Sequence, residues 1–198
     1  MSVSAQEVKE LRDRSGVGMM DCKKALVEAN GDIDKAFDIL RKSGIAKAKK
    51  KSGRDAKEGI VFSYIHPGAK LGVLLEINCE TDFVANTDDF KDLAKEVSMH
   101  IAATNPISIQ REDVDDSVVQ KEKDIFSEQA KKSGKPENII EKMVDGRLNK
   151  FYQESVLLEQ NFVKDPSKTI KELVAEKVGV LGENIIISNF SRYQIGEK

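Results

Sequence analysis

Leu71, Val73, Leu75, Ile77 and Cys79 alternate along the chain with Gly72, Leu74, Glu76, Asn78 and Glu80. A side-chain period of two makes this run a strand with one strongly apolar face. Such a face needs a second layer to cover it, so the chain is not all helix. Residues 58–65 precede it across a His-Pro-Gly-Ala-Lys turn, which predicts a β-hairpin. The β-branched and aromatic run ENIIISNFSRYQIGE near the end predicts a third strand.

The cover comes from segments whose period is helical. From Thr87, the residues Phe90, Leu93, Ala94, Val97 and Ile101 mark an amphipathic helix that ends before Asn105-Pro106. A charged helix is predicted from Val114 to Lys132, broken at Gly134, with Pro136 opening the next. That helix carries Ile140, Val144, Leu148, Phe151, Ser155, Leu158 and Phe162 near one stripe, for a reach of roughly 40 Å. Gly146 either weakens it or admits a close neighbour. After Asp165-Pro166 a short helix with Ile170, Leu173, Val174 and Val178 is expected to stop at Gly179. The expected class is therefore α+β, a small antiparallel sheet packed with helices, occupying residues 58–198.

Residues 1–44 read as a separate three-helix module. Ser4 and Glu7 form an S-x-x-E capping box before Val8 and Leu11, with a stop at Ser15-Gly16. The second helix starts near Met19 or Met20 and carries Cys22, Ala25, Leu26 and Ala29 to Asn30-Gly31. Asp32 caps a third, whose Ile33, Ala36, Phe37 and Leu40 repeat at helical spacing until Gly44. Helices this short must share one core. Met19 and Met20 cannot both point inward at a helix start, so at least one is expected at the surface, where an unbranched, polarizable side chain suits protein contact. With its Val17-Gly18-Met19 loop the module resembles the ubiquitin-associated fold.

Residues 45–57 read as a basic, partly helical linker: Arg41 to Arg54 holds seven basic residues and no acid among its charges up to that point. The run has no aromatic residue for stacking bases, and the net charge is −2, so no specific nucleic-acid binding is expected. No segment is apolar enough to span a bilayer. The start, MSVSAQEVKELRDR, has neither an apolar signal core nor the acid-poor character of a transit peptide, so a cytoplasmic setting is expected. Cys22 and Cys79 lie far apart and imply no disulfide framework. With His66 and His100 they match no zinc spacing, and phosphate-loop, dinucleotide, nucleophile-elbow and CxxC motifs are absent, so neither an enzyme nor a cofactor is expected.

The stretch CETDFVANTDDF joins the apolar strand to the helix. Taken alone, Thr81 or Asp82 caps a helix and Phe83 folds into the core. The stretches VKELRDRSGVGMMDCKKALVEANGDIDKAFDILRKSG, INCETDFVAN, FYQESVLLEQNFVKD and FSRYQIGE change that balance. Together they closely resemble the elongation factor Ts family, short bacterial type, over essentially the whole chain. The resemblance implies a guanine-nucleotide exchange factor that binds elongation factor Tu carrying GDP or no nucleotide, and not an enzyme. It implies that Asp82 and Phe83, within Thr81-Asp82-Phe83-Val84, reach toward the partner's magnesium and phosphate site. It also implies that Arg12, Met19 and Met20 face the partner's nucleotide-binding domain. A rival reading is a ubiquitin-associated-type adaptor, or a dimeric interaction module without exchange activity.

A three-stranded sheet has open edges, and longer family members carry the core twice, so a homodimer is expected. The run Leu71 to Cys79 or Ile185 to Tyr193 is expected near its two-fold axis.

Overall fold

The computed structural model describes residues 3–132 and 136–197, so the break expected at Gly134 lies outside the described residues. The chain forms two compact units. The first comprises residues 1–62, 75–96 and 172–188, the second residues 63–74, 97–171 and 189–198.

The first unit opens with α1 (Ala5–Ser15), α2 (Met19–Glu28) and α3 (Ile33–Lys51). The expected capping box is present: the Ser4 hydroxyl accepts from the Glu7 amide at 3.2 Å, and the Glu7 carboxylate accepts from the Ser4 amide at 2.7 Å. The bond from the Ser4 amide first, and then the Ser4 side chain, hold the Glu7 carboxyl below its ordinary pKa. Gly16 ends α1 with a left-handed φ of 68°, a conformation that a side chain would disfavour. The core of the three helices is Val8, Leu11, Cys22, Ala25, Leu26, Ala29, Ala36 and Leu40, the positions picked out by the helical spacing.

The third helix does not stop at Gly44. It runs on to Lys51 through most of the stretch expected as linker, and Gly44 is buried in it. The reason lies in α8 (Ile170–Leu181), which likewise passes through Gly179 instead of ending there and stops at Gly182. A Cβ on Gly179 would stand 3.0 Å from the Cα of Gly44. The two glycines let two helices touch backbone to backbone, so both are contacts and neither is a terminus. Arg41 and Glu176, one turn before each glycine, close the same seam with a 2.9 Å ion pair.

The basic run is largely engaged inside this unit. Besides Arg41, Lys47 meets Asp21 at 2.7 Å, Lys51 donates to the Gly182 carbonyl, and Arg54 approaches Glu80 at 3.5 Å.

Strands β1 (Glu58–Ile65), β2 (Leu71–Cys79) and β5 (Ile186–Gln194) form an antiparallel sheet in the order β1-β2-β5. The hairpin has the expected bounds. Val73, Leu75, Ile77 and Cys79 of β2 are buried, as are Phe90, Leu93, Ala94, Val97 and Ile101 of α5 (Asp88–Thr104). Because β2 is the central strand, its two edges are occupied, and only β1 and β5 present free ones. Of the two runs expected near a two-fold axis, only the terminal one therefore has an edge to offer.

In the second unit, α6 (Asp116–Lys131) and α7 (Glu137–Ser155) pack against each other. A Cβ on Gly146 would meet no atom within 4 Å, so that position admits no close neighbour. Helix α7 ends at Ser155, well short of Phe162. There the 107–109 segment captures the backbone: the Ile107 amide donates to the Ser155 carbonyl, and the Leu157 amide to that of Ser108, both at 2.9 Å. Phe162 belongs instead to a short hairpin of β3 (Asn161–Phe162) and β4 (Asp165–Thr169), which the sequence pattern did not predict.

His100 of α5 is fully buried in this unit. Its Nδ1 accepts from the Val163 amide at 3.3 Å, and its Nε2 donates to the side-chain Oε1 of Gln160 at 2.9 Å, an arrangement that suits the neutral ring. Burial lowers its pKa, only partly offset by the Gln160 bond. A proton added at Nδ1 would face the Val163 N–H, donor against donor.

The unfolded chain, with an ordinary histidine near 6.5, therefore binds this proton more readily than the folded one. Stability should be complete above that value and fall as pH drops below it, at up to about 1.4 kcal/mol per pH unit until the folded pKa is reached. Urea midpoints between pH 7.5 and pH 5.5, a window above ordinary carboxylate titration, check this; a flat profile would refute it.

Candidate functional site

Strand β2 ends at Cys79, and after Glu80 and Thr81 the backbone enters α4 (Asp82–Ala85), a single helical turn. Thr81 is its N-cap, with φ −134° and ψ 154°, and its hydroxyl oxygen accepts from the Val84 amide at 3.4 Å. The local reading of the stretch is thus right for Thr81. It is wrong for Phe83, which is 83% exposed. Ala85 and Phe90 fill the buried positions on this segment, so Phe83 has no core role. Asp82 is also exposed, and its carbonyl accepts from the Asn86 side chain at 2.9 Å.

What fixes the turn comes from elsewhere in the first unit. The Glu183 carboxylate accepts three bonds: the Glu80 and Thr81 amides, each at 3.0 Å to Oε2, and the Thr81 hydroxyl at 2.6 Å to Oε1. The Glu80 carboxylate returns the contact, accepting the Asn184 amide at 2.7 Å. The Asn184 side chain in turn donates to the Arg54 carbonyl at 2.8 Å. Cys79 lies beneath, donating from Sγ to the Thr81 carbonyl at 3.1 Å; burial first, and then the nearby Glu183 charge, push its thiol pKa up. An inert structural thiol results. The outcome is an aromatic ring and a carboxylate raised on a turn whose entering backbone amides are tied down by the Glu183 carboxylate.

Arg12, Met19 and Met20 are also exposed, the two methionines at 45% and 67%. Arg12 stands on α1 and the methionines open α2. The expectation of at least one surface methionine is exceeded. Glu80 and Glu183 were missed by sequence reasoning. They lie about 100 residues apart and belong to no motif that the pattern of residue types could reveal.

Among the described residues no group of three or more His, Cys, Asp and Glu side chains could hold a metal ion. Among the same residues no helix is long and apolar enough to cross a membrane.

The family model described as Elongation factor TS matches residues 23–197. The chain belongs to the elongation factor Ts family. That match includes the Thr81–Val84 turn. Relatives extend the likeness over the front of the chain. The elongation factor Ts of a Thermoanaerobacter species is 58% identical over 98% of this chain and 96% of its own length. That of Fervidobacterium nodosum is 57% identical over 100% of both, and that of Thermosipho melanesiensis 54% identical over 98% of this chain and 100% of its own.

Proposed function

We propose that this chain is a cytoplasmic translation elongation factor that binds elongation factor Tu·GDP and promotes release of GDP, so that GTP can rebind. The observation that carries the reading is Phe83, an exposed aromatic on a turn whose entry is clamped by Glu183 and, through Glu80, by Asn184. GDP in such a partner is held by backbone amides of a phosphate loop and by Mg²⁺, so a rigid wedge that displaces groups around the metal weakens it. Phe83 is that wedge, with Asp82 beside it and Thr81 and Val84 completing the contact. No bond is made or broken, and the factor is not an enzyme. By linkage, whatever ratio the factor takes from GDP affinity, GDP takes from the factor's affinity, and the ternary intermediate resolves either way.

Residues 1–44, a module of ubiquitin-associated-like form, provide a second contact through Arg12, Met19 and Met20. Residues 45–57 join it to the 58–198 region that bears the wedge. Release of a fluorescent GDP from purified elongation factor Tu, followed by stopped flow, tests the reading. Acceleration by this protein supports it, and an unchanged release rate refutes it.

A homodimer is the second part of the proposal. Ile65, Leu74, Tyr193 and Ile195 leave an apolar surface exposed at 63%, 48%, 70% and 74%, and β1 and β5 keep free edges. Exposed apolar side chains beside unpaired strand edges favour pairing with a second chain. Light scattering at micromolar concentration should give twice the 22.0 kDa chain mass. A monomer mass would count against it.

A further inference from the structure

We infer that Glu183 is a positioning residue for nucleotide exchange, holding the Asp82-Phe83 turn in the shape that enters the partner. The inference rests on the reading that this turn acts on the nucleotide site. Thr81 and Glu80 present two adjacent backbone N–H groups at the end of β2, and no strand partner takes them. The Glu183 carboxylate does so with one oxygen while its other oxygen accepts the Thr81 hydroxyl proton. With that proton committed, the Thr81 oxygen keeps a lone pair for the Val84 amide, which caps α4. The chain of bonds therefore runs from Glu183 through Thr81 to the turn that carries Phe83.

Glu183 is itself anchored. It follows Gly182, whose carbonyl accepts from Lys51, and precedes Asn184, whose amide donates to Glu80 and whose side chain donates to the Arg54 carbonyl. Lys51 ends α3, so the helix that belongs to the Arg12, Met19 and Met20 module also holds the loop that shapes the wedge. Both contact surfaces of the proposed function are thus fixed to one frame within the first unit. A wedge on a loose turn would still meet the partner, but part of its effect would be lost in ordering it.

The consequence is a split between binding and rate. Glu183→Ala leaves two amides and a hydroxyl without their acceptor, and should lower the GDP release rate at saturating factor about tenfold, the loss expected for charge-assisted bonds to one carboxylate. The half-saturating concentration should move less than about twofold, because the contacts of residues 1–44 remain. Glu183→Gln can still accept both amides, and should recover part of the rate. In the double variant with Phe83→Ala the loss should not exceed that of Phe83→Ala alone, since Glu183 acts only through the turn.

A full saturating rate in folded Glu183→Ala, or additive losses in the double variant, would overturn the assignment. If Glu183→Ala does not fold, Glu183→Gln, which leaves the Thr81 hydroxyl and its cap on Val84 in place, is judged by the same two criteria against a smaller expected loss. A normal rate for Phe83→Ala itself would instead remove the wedge, and this inference with it. A slow Phe83→Ala beside a normal Glu183→Ala would remove the positioning role only.

Discussion

Phe83→Ala is expected to slow stimulated release of GDP from elongation factor Tu by about thirtyfold or more, with no loss of folded protein. The size follows from the place of the ring. A rigid aromatic that fills a pocket on a partner is the type of side chain whose truncation costs about 2 kcal/mol or more of binding energy. Exposed at 83%, the ring gives nothing to the core that Ala would forfeit. Phe90 in α5 supplies the contrast: it is fully buried, and truncation there belongs to the range of about 3–5 kcal/mol seen for core phenylalanines. Melting temperature and stopped-flow rate, measured on the same preparation, separate the two cases. Phe83→Ala melting far below the wild-type protein would return the ring to a structural role, and an unchanged rate would take it out of the exchange mechanism.

The difference between Phe83 and Phe90 also shows where the sequence stops being informative. Both follow a polar residue, both lie near a helix start, and the pattern of types gives each a core reading. Phe90 continues a helical stripe with Leu93, Ala94 and Val97, and is buried with them. Phe83 sits on a single turn too short to have a stripe, so its direction is set by Thr81 and by Glu183, which lies 102 residues beyond Thr81. Local periodicity carries no information about a contact of that range. The resemblance of the INCETDFVAN stretch to a family picked out the residues, while the acceptors that shape the turn remained hidden. The three strands of the main sheet and the first helices were legible because each has its own period or cap, as at Ser4 and Asp32, whereas the β3–β4 hairpin has neither. Helix ends decided by tertiary contacts were not, and α7 is an example: its apolar stripe continues past Ser155, but backbone pairing with residues 107–109 ends the helix.

Gly44 and Gly179 make the same point with a larger consequence. Each stands where the sequence predicts a helix end, because glycine commonly follows a last turn. Each is inside a helix; the space a side chain would take at Gly179 is occupied by Gly44, while a Cβ on Gly44 would lie in ordinary contact with Ala175 and Glu176. Gly179→Val should therefore lower stability by about 1–3 kcal/mol, the usual cost of forcing extra carbons into a packed interior.

At Gly179 even a Cβ would press on the Cα of Gly44 at 3.0 Å, and Val adds two further carbons beyond it. Gly179→Ala is a milder change, since the gain of about 1 kcal/mol in helix propensity offsets part of the crowding. For Val the remedy is to part the helices, and that strains the Arg41–Glu176 pair and the bond from Lys51 to the Gly182 carbonyl. Glu183 is the next residue, so the separation reaches the turn that carries Phe83.

Urea midpoints should thus rank the wild-type protein above Gly179→Val, and the saturating rate of GDP release should fall in the Val variant even at temperatures where it is fully folded. A Val variant as stable as the wild-type protein would mean that the two helices do not meet at these glycines. A less stable variant with an undiminished rate would mean that the helical seam supports the fold without reaching the exchange site.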